Sequence, residues 1–112
     1  MDETIACPEV NEGLLSKIVL RMCEAGRPQK ILLFGSRARG DARPDSDLDL
    51  LVIEDSVLPR YKRSARYRRA LAGVFPAKDI VVWTPAEVAE WRNLPNAFIN
   101  EAIREGKLLY EG

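Results

Sequence analysis

The sequence predicts a single domain of the α/β (α+β) class, a small mixed sheet flanked by helices. Apolar runs at residues 31–34, 48–53 and 79–83 have the length of buried strands, and segments with helical periodicity separate them. The chain has 112 residues, of which 46% are hydrophobic and 30% charged. These values fit one soluble domain with its own core, so we assign residues 1–112 to one unit.

In the first half of the chain, a helix, a strand, a short helical turn and a second strand are predicted. Six apolar residues form the helical stripe: Val10, Leu14, Leu15, Ile18, Val19 and Met22. Gly26 and Pro28 then end that helix. The strand at 31–34 ends at Gly35 and leads into the turn at 36–39. A polar loop connects this turn to the strand at 48–53.

In the second half, a helix, a strand and two further helices are predicted. Residues 60–72 form the first, with apolar points at Tyr61, Ala65 and Leu71. After the strand at 79–83, the segment Thr84-Pro85-Ala86-Glu87 has the pattern of a capping box with proline at its first helical position. Asn96 is the expected cap of a last helix that ends near Gly106. Five apolar residues close to the C-terminus are expected to cover the sheet, with self-association or partner binding as the alternative: Phe98, Ile99, Ile103, Leu108 and Leu109.

Composition excludes several kinds of catalysis. The chain contains no histidine, which excludes Ser-His-Asp and Cys-His mechanisms and any zinc site that needs imidazole. Cys7 and Cys23 are the only cysteines, too few for a disulfide scaffold or a zinc ribbon. The 17 basic and 17 acidic residues cancel, so the net charge gives no reason to expect a nucleic acid or a membrane as partner. The acidic start has no apolar signal segment, and we expect a cytoplasmic protein.

The loop from Gly35 to Asp49 almost fits two general motifs, and both fail. Gly35 and Gly40 have the spacing of a phosphate-binding P-loop, but Asp41 stands where that motif needs lysine. Asp45, Asp47 and Asp49 match the first ligands of an EF-hand loop. However, Leu50 and Ser56 replace the glycine and the glutamate that the calcium loop requires.

What remains is a pair of carboxylates at the start of a strand. Asp47 and Asp49 share one face, because side chains alternate along a strand. Two carboxylates and a substrate phosphate are ligands that Mg²⁺ prefers. Gly35 and Ser36 open a helical turn whose amides attract phosphate. Taken alone, the acid pair is also compatible with a solvated strand edge and Gly35-Ser36 with a tight turn.

The whole unit resembles the nucleotidyltransferase superfamily, which has the polymerase-beta-like fold. The family signature is Gly-Ser, ten residues and then Asp-x-Asp, as in Gly35-Ser36 followed by Asp47-Leu48-Asp49. Asp79 stands at the position of the family's third carboxylate. The segment Gly-Ser-Arg-Ala-Arg-Gly-Asp is most similar to the minimal nucleotidyltransferases, which are single small domains. The resemblance covers residues of about 10 to 95.

The resemblance implies phosphoryl transfer from ATP or another nucleoside triphosphate, assisted by two Mg²⁺ ions. Asp47, Asp49 and Asp79 would be both the catalytic residues and the metal ligands. Gly35, Ser36 and Arg37 would bind the nucleotide. Arg39 could likewise bind phosphate, but we favour a structural role in which it fastens the loop by pairing with Asp41 or Asp45.

The resemblance also implies a partner. A minimal nucleotidyltransferase typically occurs in a pair with a helical HEPN-type toxin. In such pairs the nucleotidyltransferase is the antitoxin and can transfer AMP to a tyrosine of the toxin. The alternatives are a binding module that masks its partner without catalysis, and transfer to a small molecule; homo-oligomers are also compatible. Six cations between residues 60 and 69 predict a solvated helix face, or a contact with RNA, the nucleotide or an acidic partner.

Overall fold

The computed structural model describes residues 11–40, 42–43, 46–74, 76–94 and 97–112. The described residues contain six helices and four strands, in this chain order: α1 (Glu12–Ala25), β1 (Lys30–Phe34), α2 (Ser36–Arg39), β2 (Leu48–Ile53), α3 (Arg60–Arg63), α4 (Ala65–Ala70), β3 (Lys78–Trp83), α5 (Pro85–Trp91), α6 (Phe98–Glu105) and β4 (Lys107–Glu111). The predicted mixed sheet with flanking helices is confirmed.

The four strands form one sheet in the order β3-β2-β1-β4. Strand β1 is antiparallel to both β2 and β4, while β2 and β3 are parallel. Because side chains alternate along each strand, the sheet has two apolar faces. On one face, Leu50 and Val52 pack with α1 and α4; on the other, Leu51 and Ile53 pack with α6.

Helix α1 has the predicted apolar stripe. Leu15, Ile18 and Met22 are buried, and the side chain of Asn11 accepts a hydrogen bond of 3.0 Å from the amide of Leu14. The amide of Gly26 donates to the carbonyl of Met22 where the helix ends. Val10, the first residue of the predicted stripe, lies outside the described residues.

The segment predicted as one helix over residues 60–72 is divided at Ser64 into α3 and α4, so that prediction is wrong. Tyr61, expected to be an apolar contact, is 77% exposed, whereas Tyr67 is fully buried. The hydroxyl of Tyr67 donates to the carboxylate of Glu54, which is itself 6% exposed. A buried carboxylate needs such a donor, and this pairing turns Tyr67 rather than Tyr61 towards the core.

The capping box at the start of α5 is confirmed. The hydroxyl of Thr84 accepts from the amide of Glu87 at 3.1 Å, and the amide of Thr84 donates to Glu87 Oε1 at 2.9 Å. The carboxylate of Glu87 also accepts hydrogen bonds of 2.6 and 3.2 Å from the guanidinium of Arg63. One glutamate therefore caps α5 and joins it to α3.

Three of the six cations between residues 60 and 69 pair with acids of this chain. Arg60 and Arg63 pair with Glu87, and Arg66 lies 3.6 Å from the buried Glu54. The guanidinium of Arg60 also stacks on the ring of Trp83 at 4.1 Å. The expected solvated face therefore describes only part of this segment.

The C-terminal part of the chain contains a strand that the sequence did not predict. Helix α6 is followed directly by Gly106 and β4, whose irregular pairing with β1 shifts register between Ile31 and Leu32. The predicted cap, Asn96, lies outside the described residues, and Ala97 is the N-cap residue. Ile99 is buried on the sheet as expected. Phe98, Ile103 and Leu108 are instead 47%, 36% and 48% exposed. None of the helices in the described part of the chain is both long and apolar enough to cross a membrane.

Replacing Glu87 by Gln should reduce stability in a pH-dependent way. The hydrogen bonds from Arg63, opposed by burial and assisted by the amide of Thr84 and the charges of Arg63 and Arg60, together lower the pKa of Glu87 to about 2. Since the folded-state pKa lies below the ordinary value of 4.5, the carboxylate stabilises the fold above about pH 4.5, and this contribution is lost as the pH falls towards 2. We expect Glu87→Gln to cost about 1–2 kcal/mol at pH 7 and nearly nothing at pH 2.

Urea unfolding at pH 7, 4 and 2 measures this difference. Glu90→Gln is the matched control, because Glu90 is an exposed acid on the same helix. Parallel pH profiles for the Glu87→Gln variant and the wild type would contradict the assignment.

Candidate active site

Two of the predicted site residues lie side by side across the sheet. Asp49 of β2 is the register partner of Asp79 in the parallel strand β3, and of Phe34 in the antiparallel strand β1. These three residues therefore form one row at the same end of the sheet. Asp47 precedes β2 and shares the parity of Asp49 across the buried Leu48. We call Asp47, Asp49 and Asp79 the carboxylate row.

Gly35 brings the backbone against this row. It follows β1 with φ +73°, a conformation that favours glycine. A Cβ atom at Gly35 would collide with a carboxylate oxygen of Asp49 and lie 3.2 Å from its Cγ. The chain can therefore turn here only because residue 35 has no side chain.

The turn after Gly35 is a single helical turn, α2. The amides of Ala38 and Arg39 both donate to the carbonyl of Gly35 at 3.1 Å, and Gly40 ends the turn with φ +85°. The first amides of a helix have no partner within it and point back towards its start, which here is the carboxylate row. Binding of phosphates by Gly35 and Ser36 stays a prediction that this geometry supports.

Arg37 and Arg39 make contacts within the domain. Nε and Nη2 of Arg37 donate to the carbonyl of Ser46 at 3.2 and 2.7 Å, so this side chain fastens the segment that leads into β2. Nη1 of Arg39 lies 4.0 Å from Glu105 of α6. The expected partners of Arg39, Asp41 and Asp45, lie outside the described residues. Nucleotide binding by Arg37 stays a prediction.

The carboxylates of the row repel one another. Partial burial raises the pKa of Asp49 above its ordinary value, and the charges of Asp79 and Asp47 raise it further, while Arg39 opposes the shift. Lys78 lies next to Asp79 in sequence, but its ammonium group donates to the backbone carbonyls of Val74 and Pro76. Burial lowers the pKa of Lys78.

The chemistry of the row fits a hard divalent cation. Its side chains offer only carboxylate oxygens, and Mg²⁺ prefers one or two of these together with substrate phosphates. Bound cations would also relieve the repulsion from Asp79 and Asp47, which adds to the effect of burial in raising the pKa of Asp49. Within the described residues, no three acidic or thiol side chains converge closely enough to coordinate one ion. The ligand roles of Asp47, Asp49 and Asp79 therefore stay predictions.

Sequence reasoning missed the aromatic side chains close to this row. Phe34 is the cross-strand neighbour of Asp49, and its ring contacts that of Phe98 edge-on, with centroids 5.4 Å apart. The strand register that aligns Phe34 with Asp49 cannot be obtained from the sequence of either strand alone. Phe98 was noted only as an apolar residue that covers the sheet.

A comparison with protein families decides the assignment of the fold. Residues 15–109 match the nucleotidyltransferase domain, a region that contains Gly35, Ser36 and the whole carboxylate row. This chain belongs to the nucleotidyltransferase domain family. The resemblance noted from Gly35-Ser36 and Asp47-Leu48-Asp49 is thereby confirmed.

One relative is similar in sequence over part of its length. A candidate protein adenylyltransferase of Methanocaldococcus jannaschii, MJ0604, is 44% identical over 55 residues. The matched segment covers 49% of this chain and 49% of that protein. The similarity therefore extends over about half the length of each.

Several solved structures have the same fold as this nucleotidyltransferase domain. A chain from a toxin–antitoxin complex with AMP-PNP superimposes with a TM-score of 0.61 at 21% identity, covering 92% of this chain and 75% of its own. A chain from the complex of tri-AMPylated Shewanella oneidensis HEPN toxin with MNT antitoxin has a TM-score of 0.60 at 19% identity, covering 90% of this chain and 72% of its own. A candidate nucleotidyltransferase from Sulfolobus solfataricus has a TM-score of 0.62 at 20% identity, covering 89% of this chain and 79% of its own.

Replacing Gly35 by Ala should damage both the fold and the site. Any residue other than glycine pays about 1 kcal/mol or more for a positive φ, and at Gly35 the new methyl group would in addition displace Asp49. We expect Gly35→Ala to be about 2–4 kcal/mol less stable in chemical denaturation and to lose nucleotide binding.

Gly73→Ala is the matched control for this substitution. Gly73 has φ +81°, but a Cβ atom there would meet no atom within 4 Å. The Gly73→Ala variant should therefore lose only the stability that a positive φ costs, and it should still bind nucleotide. Equal losses of stability in the two variants would refute the close approach of Gly35 to Asp49.

Proposed function

We propose that this nucleotidyltransferase transfers AMP from ATP to a tyrosine hydroxyl of a HEPN-type toxin, and thereby acts as its antitoxin. Membership of the nucleotidyltransferase domain family supports the reaction class. The partial similarity to a candidate protein adenylyltransferase supports a protein as acceptor. Folds shared with chains of toxin–antitoxin complexes, one of which contains an AMPylated HEPN toxin, support the partner.

The observation that carries the proposal is the carboxylate row beside Gly35. Asp49 stands in register with Asp79 and directly against the backbone turn that would receive the phosphates. Asp47, Asp49 and Asp79 would hold two Mg²⁺ ions, which supply neutralisation of the triphosphate and a lower pKa of the acceptor hydroxyl. Gly35 and Ser36 would bind the β- and γ-phosphates, with Arg37 at the edge of the same turn.

The proposed AMP transfer does not require a histidine. The phenolic oxygen of the acceptor forms a bond to the α-phosphorus, the bond from that phosphorus to the bridging oxygen breaks, and pyrophosphate leaves. Asp79 lies on β3, at an edge of the described sheet, and its side chain is exposed. This position supports a role for Asp79 in orienting the incoming hydroxyl and accepting its proton.

The exposure of the row suits a macromolecular acceptor. Asp47 and Asp79 are both exposed, while Asp49 between them is half-buried. A tyrosine presented on the surface of another protein can reach such a row without entering a deep cavity. The proposal includes a cytoplasmic location, with which the free thiol of Cys23 is compatible.

Substituting the acids of the row should separate catalysis from simple masking of the partner. We expect Asp47→Asn and Asp49→Asn each to reduce AMP transfer by at least about 100-fold, because a neutral amide cannot replace a charged metal ligand. The measurement is transfer of label from α-³²P-ATP to the purified HEPN-type partner in the presence of Mg²⁺. Asp55→Asn is the control, since Asp55 is an exposed acid just beyond the opposite end of β2.

The outcomes distinguish the two functions. Absence of label transfer by the wild-type protein would reject the enzymatic proposal. If the Asn variants still neutralise the toxin as well as the wild type while transferring no AMP, neutralisation is by binding alone.

A further inference from the structure

Four aromatic rings cross the face of the sheet that carries Asp49 and Asp79. Phe34 contacts Phe98 edge-on, Phe98 lies 6.5 Å from Trp83 at an interplanar angle of 36°, and Trp83 contacts Trp91 edge-on at 6.1 Å. These rings come from β1, β3, α5 and α6. The ring of Phe98 therefore lies above the sheet, between a ring on β1 and a ring on β3.

This position is directly behind the carboxylate row. Phe34 is the register partner of Asp49, and Trp83 lies four residues beyond Asp79 on the same face. Val81, between Asp79 and Trp83, is only half-buried although it points to this face. Since a strand rises about 3.3 Å per residue, Val81 lies about 7 Å behind Asp79.

Phe98 is the most exposed of the four aromatic residues. It is 47% exposed, whereas Trp83, with which it is in contact, is 7% exposed. Helix α6 is attached to the sheet by Ile99 and Ala102, which are 0% and 5% exposed. Phe98 adds ring contacts to Phe34 and Trp83, yet about half of the residue stays accessible close to the carboxylate row, where a ligand can contact it.

We propose that Phe98 stacks on the base of the nucleoside triphosphate whose phosphates bind at Gly35 and the carboxylate row. The inference rests on the proposed function, which places the triphosphate there. A ribose separates the α-phosphate from the base, so the base would lie behind the row, on the side where the partly buried Val81 follows Asp79 by about 7 Å. The carboxylates and the turn contact only phosphates, so a flat apolar surface is what the base still needs.

If the base stacks on Phe98, removing the ring should weaken the binding only of ligands that contain a base. Stacking on an aromatic side chain contributes about 1–3 kcal/mol per base, so Phe98→Ala should weaken ATP binding by about 5- to 150-fold. Inorganic tripolyphosphate has the same phosphates without a base, and its affinity should change less than 2-fold. Phe98→Trp should keep or strengthen ATP binding, because it preserves an aromatic face.

Calorimetric titration of the Mg²⁺-loaded protein with ATP and with tripolyphosphate measures both affinities. Leu20→Ala is the matched control, since Leu20 is an apolar residue on α1 with 61% exposure, on the other side of the sheet. Transfer assays add a second readout: Phe98→Ala should raise KM for ATP and leave KM for the acceptor protein unchanged.

Three results would overturn the proposal. The first is that the wild type binds ATP and tripolyphosphate with equal affinity. The second is that Phe98→Ala loses affinity for both ligands to the same extent. The third is that Phe98→Ala raises KM for the acceptor protein and not KM for ATP. The last result would assign the ring to the acceptor. Normal ATP binding without any AMP transfer would count against the proposed function and leave the stacking intact.

Discussion

The carboxylate of Asp49 is the constraint on which the active end of this domain depends. It is fixed at one end of the inner strand β2, with Asp79 beside it on β3 and the backbone of Gly35, just after β1, against it. Its position requires a glycine at the end of β1 and places two like charges on neighbouring strands. Both requirements reduce stability, and the apolar faces behind the row, with Leu50, Leu51 and Val52 fully buried, offset them.

Much of the fold could be predicted from local sequence. The capping box of Thr84 and Glu87 and the apolar stripe of α1 depend on residues close together in the chain, and both are found as expected. Tyr67 was missed because its burial depends on Glu54, thirteen residues away. Strand β4 was missed because its exposure pattern does not alternate and its pairing with β1 is irregular.

The site was predictable to a smaller extent. Strand parity alone put Asp47 and Asp49 on one face, but Asp79 was indicated only by resemblance to a family. Asp79 lies beside Asp49 because of the register between β2 and β3. Phe34 lies beside Asp49 because of the register between β1 and β2. Register is set by pairing between distant segments, which explains why the aromatic side chains near the row left no signal in the sequence.

The basic segment from residue 60 to 69 has a consequence for how the domain behaves in solution. Strand β3 lies at an edge of the described sheet, and the carbonyl of Val82 points outward, where Nη1 of Arg63 donates to it at 3.3 Å. The same guanidinium is held by Glu87 and by the carbonyl of Leu58. An exposed edge is a template for pairing with another molecule, and a charged side chain fixed across it blocks that approach. Arg63 of this basic segment therefore covers part of the β3 edge and hinders edge-to-edge pairing there.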